Sequence, residues 1–161
     1  MIFITLGSQK FQFDRLLKEV DILVNEKIID DDVFAQIGYS NYKPTSYICK
    51  RFLDREEFNM AMDKASIVIT HGGTGAIVGA LKKNKKVIAI PRLSKFGEHV
   101  DDHQLQITAE FKKSNLILAI DDIKELKIAI KKVNDIKLYK YISNTENIIC
   151  SIEEYINKIK K

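Results

Sequence analysis

Short runs of consecutive apolar residues alternate along this chain with stretches in which apolar residues recur every three or four positions. Ile2 to Leu6 forms the first continuous run and ends at Gly7-Ser8. Phe13, Leu16, Leu17, Val20 and Leu23 then follow at helical spacing, so strand, loop and helix are expected in that order. After the acidic turn Asp30-Asp31-Asp32, the stretches VFAQIGY (33–39) and SYICKRF (46–52) read as strands, with Asn41 and Pro44 as turn signals between them. Asp54 is placed to cap a helix that carries Glu56 and Glu57 in its first turn and Phe58, Ala61, Met62 and Ala65 on its inner face.

The same alternation then repeats. Ile67-Val68-Ile69 leads into THGGTG and a small-residue helix reaching about Lys83, and the run Val87 to Ile90 is closed by Pro91. A polar loop precedes a helix expected from about Val100 to Lys113, then the strand LILAI (116–120). Two helical segments follow, one marked by Ile123, Leu126, Ile130 and Val133, the other by Ile148, Ile149, Ile152, Tyr155 and Ile159. Fully apolar strands separated by amphipathic helices indicate an α/β fold, a doubly wound parallel sheet covered on both faces. One domain is expected over residues 1–161, with 121–161 a helical C-terminal segment. Ligands of such folds bind outside the carboxyl ends of the strands, which directs attention to the loops after Leu6, Ile69 and Ile90.

Composition narrows the class. A chain of 161 residues with 45% hydrophobic and 30% charged content is ordinary for one globular domain and excludes disordered, collagen-like and disulfide-scaffold classes. Cys49 and Cys150 are far apart with no CxxC pairing, and MIFITLGSQK has no signal-peptide pattern, so a cytoplasmic location is expected. No apolar run approaches the roughly 18 residues of a membrane span. Residues 1–81 carry 9 Lys/Arg against 11 Asp/Glu and residues 82–161 carry 17 against 11. The basic second half suits an anionic ligand, an anionic membrane surface or nucleic acid. Nucleic acid is disfavoured, because the aromatic residues fall on core periods rather than interleaving with a basic face. Lys82-Lys83 and Lys85-Lys86 read as a solvated helix terminus.

Thr70-His71-Gly72-Gly73-Thr74-Gly75 joins a buried strand to a helix, where glycine N–H groups and the helix's positive end can close on an oxyanion. His71 adds a hydrogen bond or a positive charge in that reading. In the other reading the glycines only permit a tight turn, Thr74 caps the helix and His71 is an ordinary polar residue; the anion site is favoured. GxxxxGK[ST] is absent, and Gly73, Gly75 and Gly79 are spaced GxGxxxG rather than GxGxxG, which disfavours Walker ATPases and dinucleotide enzymes. Gly7-Ser8 could contact the same crevice.

Phe96-Gly97-Glu98-His99-Val100-Asp101-Asp102-His103-Gln104 gathers imidazoles, carboxylates and an amide between a strand end and a helix, a hydroxyl-binding or acid-base composition. Asp101 with Gln104 also fits a capping-box-like pair. Metal binding by His99 and His103 ranks below sugar or phosphate recognition, since the helix is expected to begin between them and no cysteine is adjacent.

Together, TLGSQKFQFDRL, KRFLDREEFNMAMDKASIVITHGGTGAIVGAL and VIAIPRLSKFGEHVDDHQ resemble the C-terminal, nucleotide-sugar-binding half of GT-B glycosyltransferases of family 28, over roughly residues 1–113. The chain looks similar to the small catalytic subunits of split enzymes, both the bacterial capsule and exopolysaccharide type and the dolichol-linked N-acetylglucosaminyltransferase type. The resemblance implies a single Rossmann-like lobe and an inverting transfer from a UDP-sugar, with no cofactor and no metal. It places Gly7, Ser8, His71, Gly72, Gly73, Thr74 and Gly75 around the UDP pyrophosphate, Phe52 and Leu53 beside the uracil, and Asp101, Asp102, His103 and Gln104 around the donor sugar.

Glu98, His99 and Asp14 are local candidates for the general base, which in full-length relatives often lies in the other domain. Many relatives bind ribose with a Glu where this chain has Gly79, so the ribose contact is unassigned. The resemblance further implies a membrane-anchored acceptor-binding subunit and a lipid-linked glycan acceptor, with the chain peripheral at the inner face of the cell membrane. The competing class is a non-catalytic nucleotide-sugar-binding or regulatory module.

Overall fold

A computed structural model describes residues 1–159 of the chain. Six strands form one parallel sheet in the order β3-β2-β1-β4-β5-β6: β1 Ile2–Thr5, β2 Val33–Gln36, β3 Ile48–Lys50, β4 Ile67–His71, β5 Lys86–Ile90 and β6 Leu118–Ala119. Helices α1 (Asp14–Asn25), α2 (Arg55–Lys64), α3 (Thr74–Lys82), α4 (His103–Lys113), α5 (Leu126–Lys132) and α6 (Thr145–Ile159) occur in chain order.

The central strands β1, β4 and β5 are mostly apolar because both faces of the sheet are covered there. Ile2, Ile4, Ile67, Ile69, Ile88 and Ile90 point to one side, where α1 buries Leu16, Leu17 and Val20 and α5 buries Leu126 and Ile130. Phe3, Val68, Val87 and Ala89 point to the other, against Ala61 and Met62 of α2 and Ile77, Ala80 and Leu81 of α3. The helical spacing read from Phe13 to Leu23 is the buried face of α1. The α2 cap at Asp54 forms a reciprocal box: Glu57 N–H donates to Asp54 Oδ1 at 2.8 Å, and Asp54 N–H to Glu57 Oε2 at 3.3 Å.

Several boundaries differ from expectation. VFAQIGY stops being a strand after Gln36, because Gly38 turns the chain at φ +56°, and a Cβ there would lie 2.9 Å from Gly7 O. SYICKRF contributes only Ile48–Lys50, an edge strand with one neighbour. Helix α4 begins at His103 rather than near Val100, because the carboxylates before it are spent on local contacts described below.

The segment 121–161 is not uniformly helical. A 3-10 turn at Ile123–Glu125 precedes α5, irregular chain follows, and the described part of the last helix, α6, ends at Ile159. None of the α6 residues is buried. No described helix is long and apolar enough to cross a membrane.

One polar knot ties the loop before β3 to α1. Asp21, 3% exposed, accepts from Tyr42 Oη at 2.6 Å, Thr45 Oγ1 at 3.0 Å and Ser46 N–H at 2.8 Å. Burial alone would raise this carboxyl, but the hydrogen bonds from Tyr42, Ser46 and Thr45 outweigh it and bring its pKa to about 2.

Candidate functional site

Strand order reverses between β1 and β4, which leave the sheet side by side with Thr5 opposite Thr70. Their following loops diverge to opposite faces, opening a crevice at the carboxyl ends. The glycines of the two loops close on one side chain. A Cβ at Gly7, whose φ is +71°, would meet His71 Cε1 at 2.9 Å, and one at Gly73 would strike the same ring. At Gly72 a Cβ would meet Gln104 Cβ at 2.7 Å and Thr108 Cγ2 at 3.1 Å. Gly75 and Gly79 have nothing within 4 Å of their Cβ positions.

Thr74 does not cap α3. It is the first helical residue, and the N-cap is Gly73, which has no side chain to offer. The leading N–H groups of α3 therefore have no side-chain acceptor from the cap, and the helix presents donors and the positive end of its dipole beside the crevice. Ser8 is exposed at the tip of the first loop.

His71 is the last residue of β4 and only 8% exposed, a buried wedge and not a loop residue. Burial, reinforced by the nearby Arg92 guanidinium, pushes its pKa down to about 4, so the ring is neutral and brings no positive charge. Its Nδ1 lies 3.4 Å from Thr70 Oγ1, which donates to Thr5 O at 2.8 Å. Unfolded His71 takes up a proton below its ordinary 6.5, whereas the folded ring resists until about 4. Its contribution is thus complete above pH 6.5 and lost as pH falls toward 4, about 3 kcal/mol in all.

His71→Ala is expected to remove this acid dependence and, by leaving a void under both glycine loops, to cost about 2 kcal/mol at pH 7. Urea unfolding at pH 7 and pH 4.5 measures both. A variant as stable as the parent, with the same pH slope, would contradict the wedge.

The carboxylates and amide of the second motif are largely engaged within the fold. Glu98 is 1% exposed; Oε1 accepts from Arg15 Nε at 2.7 Å and Oε2 from Leu93 N–H at 3.0 Å. A general base needs a free oxygen within reach of substrate, so Glu98 does not fit that role. Asp14 is occupied at one oxygen only: Oδ1 accepts from Asn41 N–H at 2.8 Å and Tyr42 N–H at 3.1 Å, and Oδ2 makes no hydrogen bond to a described residue. Gln104 is 2% exposed, and its Oε1 accepts from Gly72 N–H and Arg92 N–H, both at 3.0 Å. It staples the glycine loop to the end of β5. The pairing expected between Asp101 and Gln104 is absent: Asp101 Oδ1 accepts from His103 N–H at 3.2 Å instead. Only the Nε2 end of Gln104 makes no hydrogen bond to a described residue.

Asp101, Asp102 and His103 are exposed where α4 begins. Asp102 Oδ1 accepts from Ser94 N–H at 2.7 Å, pinning the loop after β5. The His99 ring packs on Phe11 at 4.5 Å and edge-on to His103 at 4.7 Å. On the β2–β3 side, Phe52 is 44% exposed and meets Tyr39 at 5.1 Å in a T-shaped pair, while Leu53 N–H donates to Gln36 Oε1 at 3.3 Å.

Arg92 escaped the sequence reading. It is 1% exposed; its NH2 group donates to Leu6 O at 2.8 Å and Phe11 O at 3.1 Å, and its Nε and NH1 have no partner among the described residues. The guanidinium lies 5.6 Å from the Phe13 ring centre, beneath the first loop. Burial lowers its pKa to about 10, which leaves it charged at neutral pH. The available signal was an arginine directly after a wholly apolar strand and Pro91. A groove of about 920 Å³ lies elsewhere, between the chain before β2, β3 and α2, lined by residues such as Ile29, Val33, Tyr47 and Met60. It does not include the glycine loops.

The glycosyltransferase family 28 C-terminal domain matches residues 1–159. Among curated relatives, the UDP-N-acetylglucosamine transferase subunit ALG13 of Candida albicans is 27% identical over 146 residues, 87% of this chain and 43% of that protein. The same-named subunit of Candida glabrata is 25% identical over 146 residues, 89% of this chain and 67% of that protein. The chain thus spans less than half the length of the first relative. The NMR solution structure of ALG13 superposes with a TM-score of 0.62 at 19% identity, covering 88% of this chain and 89% of that one, a likeness of fold.

Proposed function

The chain belongs to the glycosyltransferase family 28 C-terminal domain family, and from that footing we propose that it is the donor-binding half of an inverting glycosyltransferase that takes its sugar from UDP. One observation carries the reading: two glycine loops close over a neutral imidazole beside the uncapped start of α3. The donor's pyrophosphate would meet backbone N–H groups of Gly7 to Ser8 and Gly73 to Gly75, the Gly72 N–H being held by Gln104. Such preorganised donors stabilise leaving-group charge by roughly 3 kcal/mol each in comparable sites. Arg92 contributes fixed positive potential from below, a charge that the arrival of an anion would offset.

The Tyr39–Phe52 pair offers an aromatic surface for the uracil. The outer ends of Asp101, Asp102 and His103 and the Gln104 Nε2 face the role of sugar recognition. With Glu98 occupied at both oxygens and Asp14 and His99 each engaged at one atom, we assign the general base to another chain. That chain is an acceptor-binding, membrane-anchored subunit presenting a lipid-linked glycan at the cytoplasmic face. The family resemblance and the curated relatives' description as transferase subunits support a partnered enzyme. No metal or cofactor is needed for transfer in this scheme.

UDP at about 100 times its dissociation constant is expected to stabilise the fold by about 2.7 kcal/mol. A thermal scan with and without UDP reads this directly. An unchanged transition at millimolar UDP would overturn the nucleotide site. Binding without transfer in the presence of a competent partner would favour the non-catalytic module.

A further inference from the structure

We propose that His99, Asp101 and His103 form a binding site for a divalent transition-metal ion of the zinc type, a site that ties the loop after β5 to the start of α4. One ligand atom from each of His99, Asp101 and His103 lies within 4.8 Å of the others. Asp101 Oδ1 is 3.2 Å from His99 Nδ1 and also contacts His103 Nδ1. Zinc–nitrogen bonds of about 2.0 Å in a tetrahedral set put neighbouring ligand atoms roughly 3.3 Å apart, which the His99–Asp101 separation matches, and the touching Asp101 and His103 side chains, both exposed, would part to admit the ion.

Proton accounting favours a cation among these atoms. His99 Nδ1 accepts the Asp101 N–H at 3.4 Å, which requires a lone pair on that nitrogen. The same nitrogen lies 3.2 Å from the Asp101 carboxylate, so its lone pair also faces a negative oxygen. That second contact is unfavourable unless a cation lies between them. A metal ion would let both Nδ1 lone pairs and the carboxylate converge on one positive centre.

The ligands are also preorganised. The His99 side chain is 7% exposed and wedged on Phe11. The loop is held from one side by Glu98 on Arg15 and Leu93, and from the other by Asp102 on Ser94. Asp101 and His103 remain 57% and 47% exposed, so solvent or a small ligand can complete the coordination. Two imidazole nitrogens and one carboxylate oxygen suit zinc, cobalt or nickel, whereas magnesium and calcium prefer all-oxygen sets.

The full chain, stripped with EDTA and dialysed, is titrated with Co²⁺ followed by d–d absorption and with Zn²⁺ by calorimetry. One ion per chain is expected. Asp101→Asn and His103→Ala should each weaken affinity about tenfold or more, since even losing an outer-shell partner of a metal ligand costs that much. Both residues are exposed, and circular dichroism verifies that the variants are folded. His99→Ala should do the same, but its ring is packed, so the two exposed variants decide the matter. No binding by the parent chain, or equal affinity in the two exposed variants, would overturn the site. The measurement needs no nucleotide, so its failure is distinguishable from failure of the donor-binding proposal.

Discussion

Supplied alone with a saturating UDP-sugar and a lipid-linked glycan, this chain is expected to bind the donor yet transfer sugar orders of magnitude more slowly than when the proposed acceptor-binding partner is present. The reason is geometric. The chain provides one sheet with one crevice, and the loops gathered there account for a pyrophosphate, a base and a sugar, leaving nothing to align an acceptor hydroxyl. Its groove of about 920 Å³ lies beside β3, away from the glycine loops. The local carboxylates proposed for proton abstraction, Glu98 and Asp14, already accept two hydrogen bonds each. Aligning two reactants supplies roughly 7 to 11 kcal/mol of a barrier at most, so losing one wall of the cleft outweighs any single donor contact. Transfer measured with and without the partner decides it; equal rates would mean that the lone domain is a complete enzyme.

Glu98→Ala is expected to lower stability by about 3 kcal/mol, the lower end of the range for breaking a buried ion pair, because the Arg15 side chain retains some solvent contact. The substitution strands the Arg15 guanidinium and the Leu93 N–H, and it frees the loop that carries His99, Asp101 and His103. Donor affinity should weaken as a consequence of the loosened loop. Were Glu98 a general base, the variant would instead unfold at the parent's urea concentration and lose only turnover. Urea unfolding followed by fluorescence of the tyrosines separates the two; an unchanged midpoint would restore the catalytic reading.

The His71 assignment shows how sequence position can mislead. A polar residue between an apolar strand and a glycine run reads as a loop residue, and the chain alone gives no sign that Gly7, some sixty positions earlier, packs against the same ring. Gln104 is similar. Its spacing from Asp101 fits a cap, but the side chain turns inward to hold Gly72 and Arg92 together. Arg15 and Glu98 were legible only as separate charges until the fold brought them to 2.7 Å.

Apolar runs, helical spacing, the Asp54–Glu57 cap and the glycine loops depend on neighbours within a few positions, so the sequence by itself determined the order of strands and helices, the parallel sheet and the end of it where the glycine loops gather. Hydrogen-bond partners and burial depend on residues brought together across the sheet, from β1 to β5 and α4. Only the tertiary structure therefore decided that His71 is neutral and buried, that Glu98 is occupied at both oxygens and Asp14 at one, that Arg92 lies beneath the crevice, and that ligand atoms of His99, Asp101 and His103 come within 4.8 Å of one another. Local chemistry is written in consecutive residues. Which charge is free to act is settled by desolvation and by partners distant in the chain.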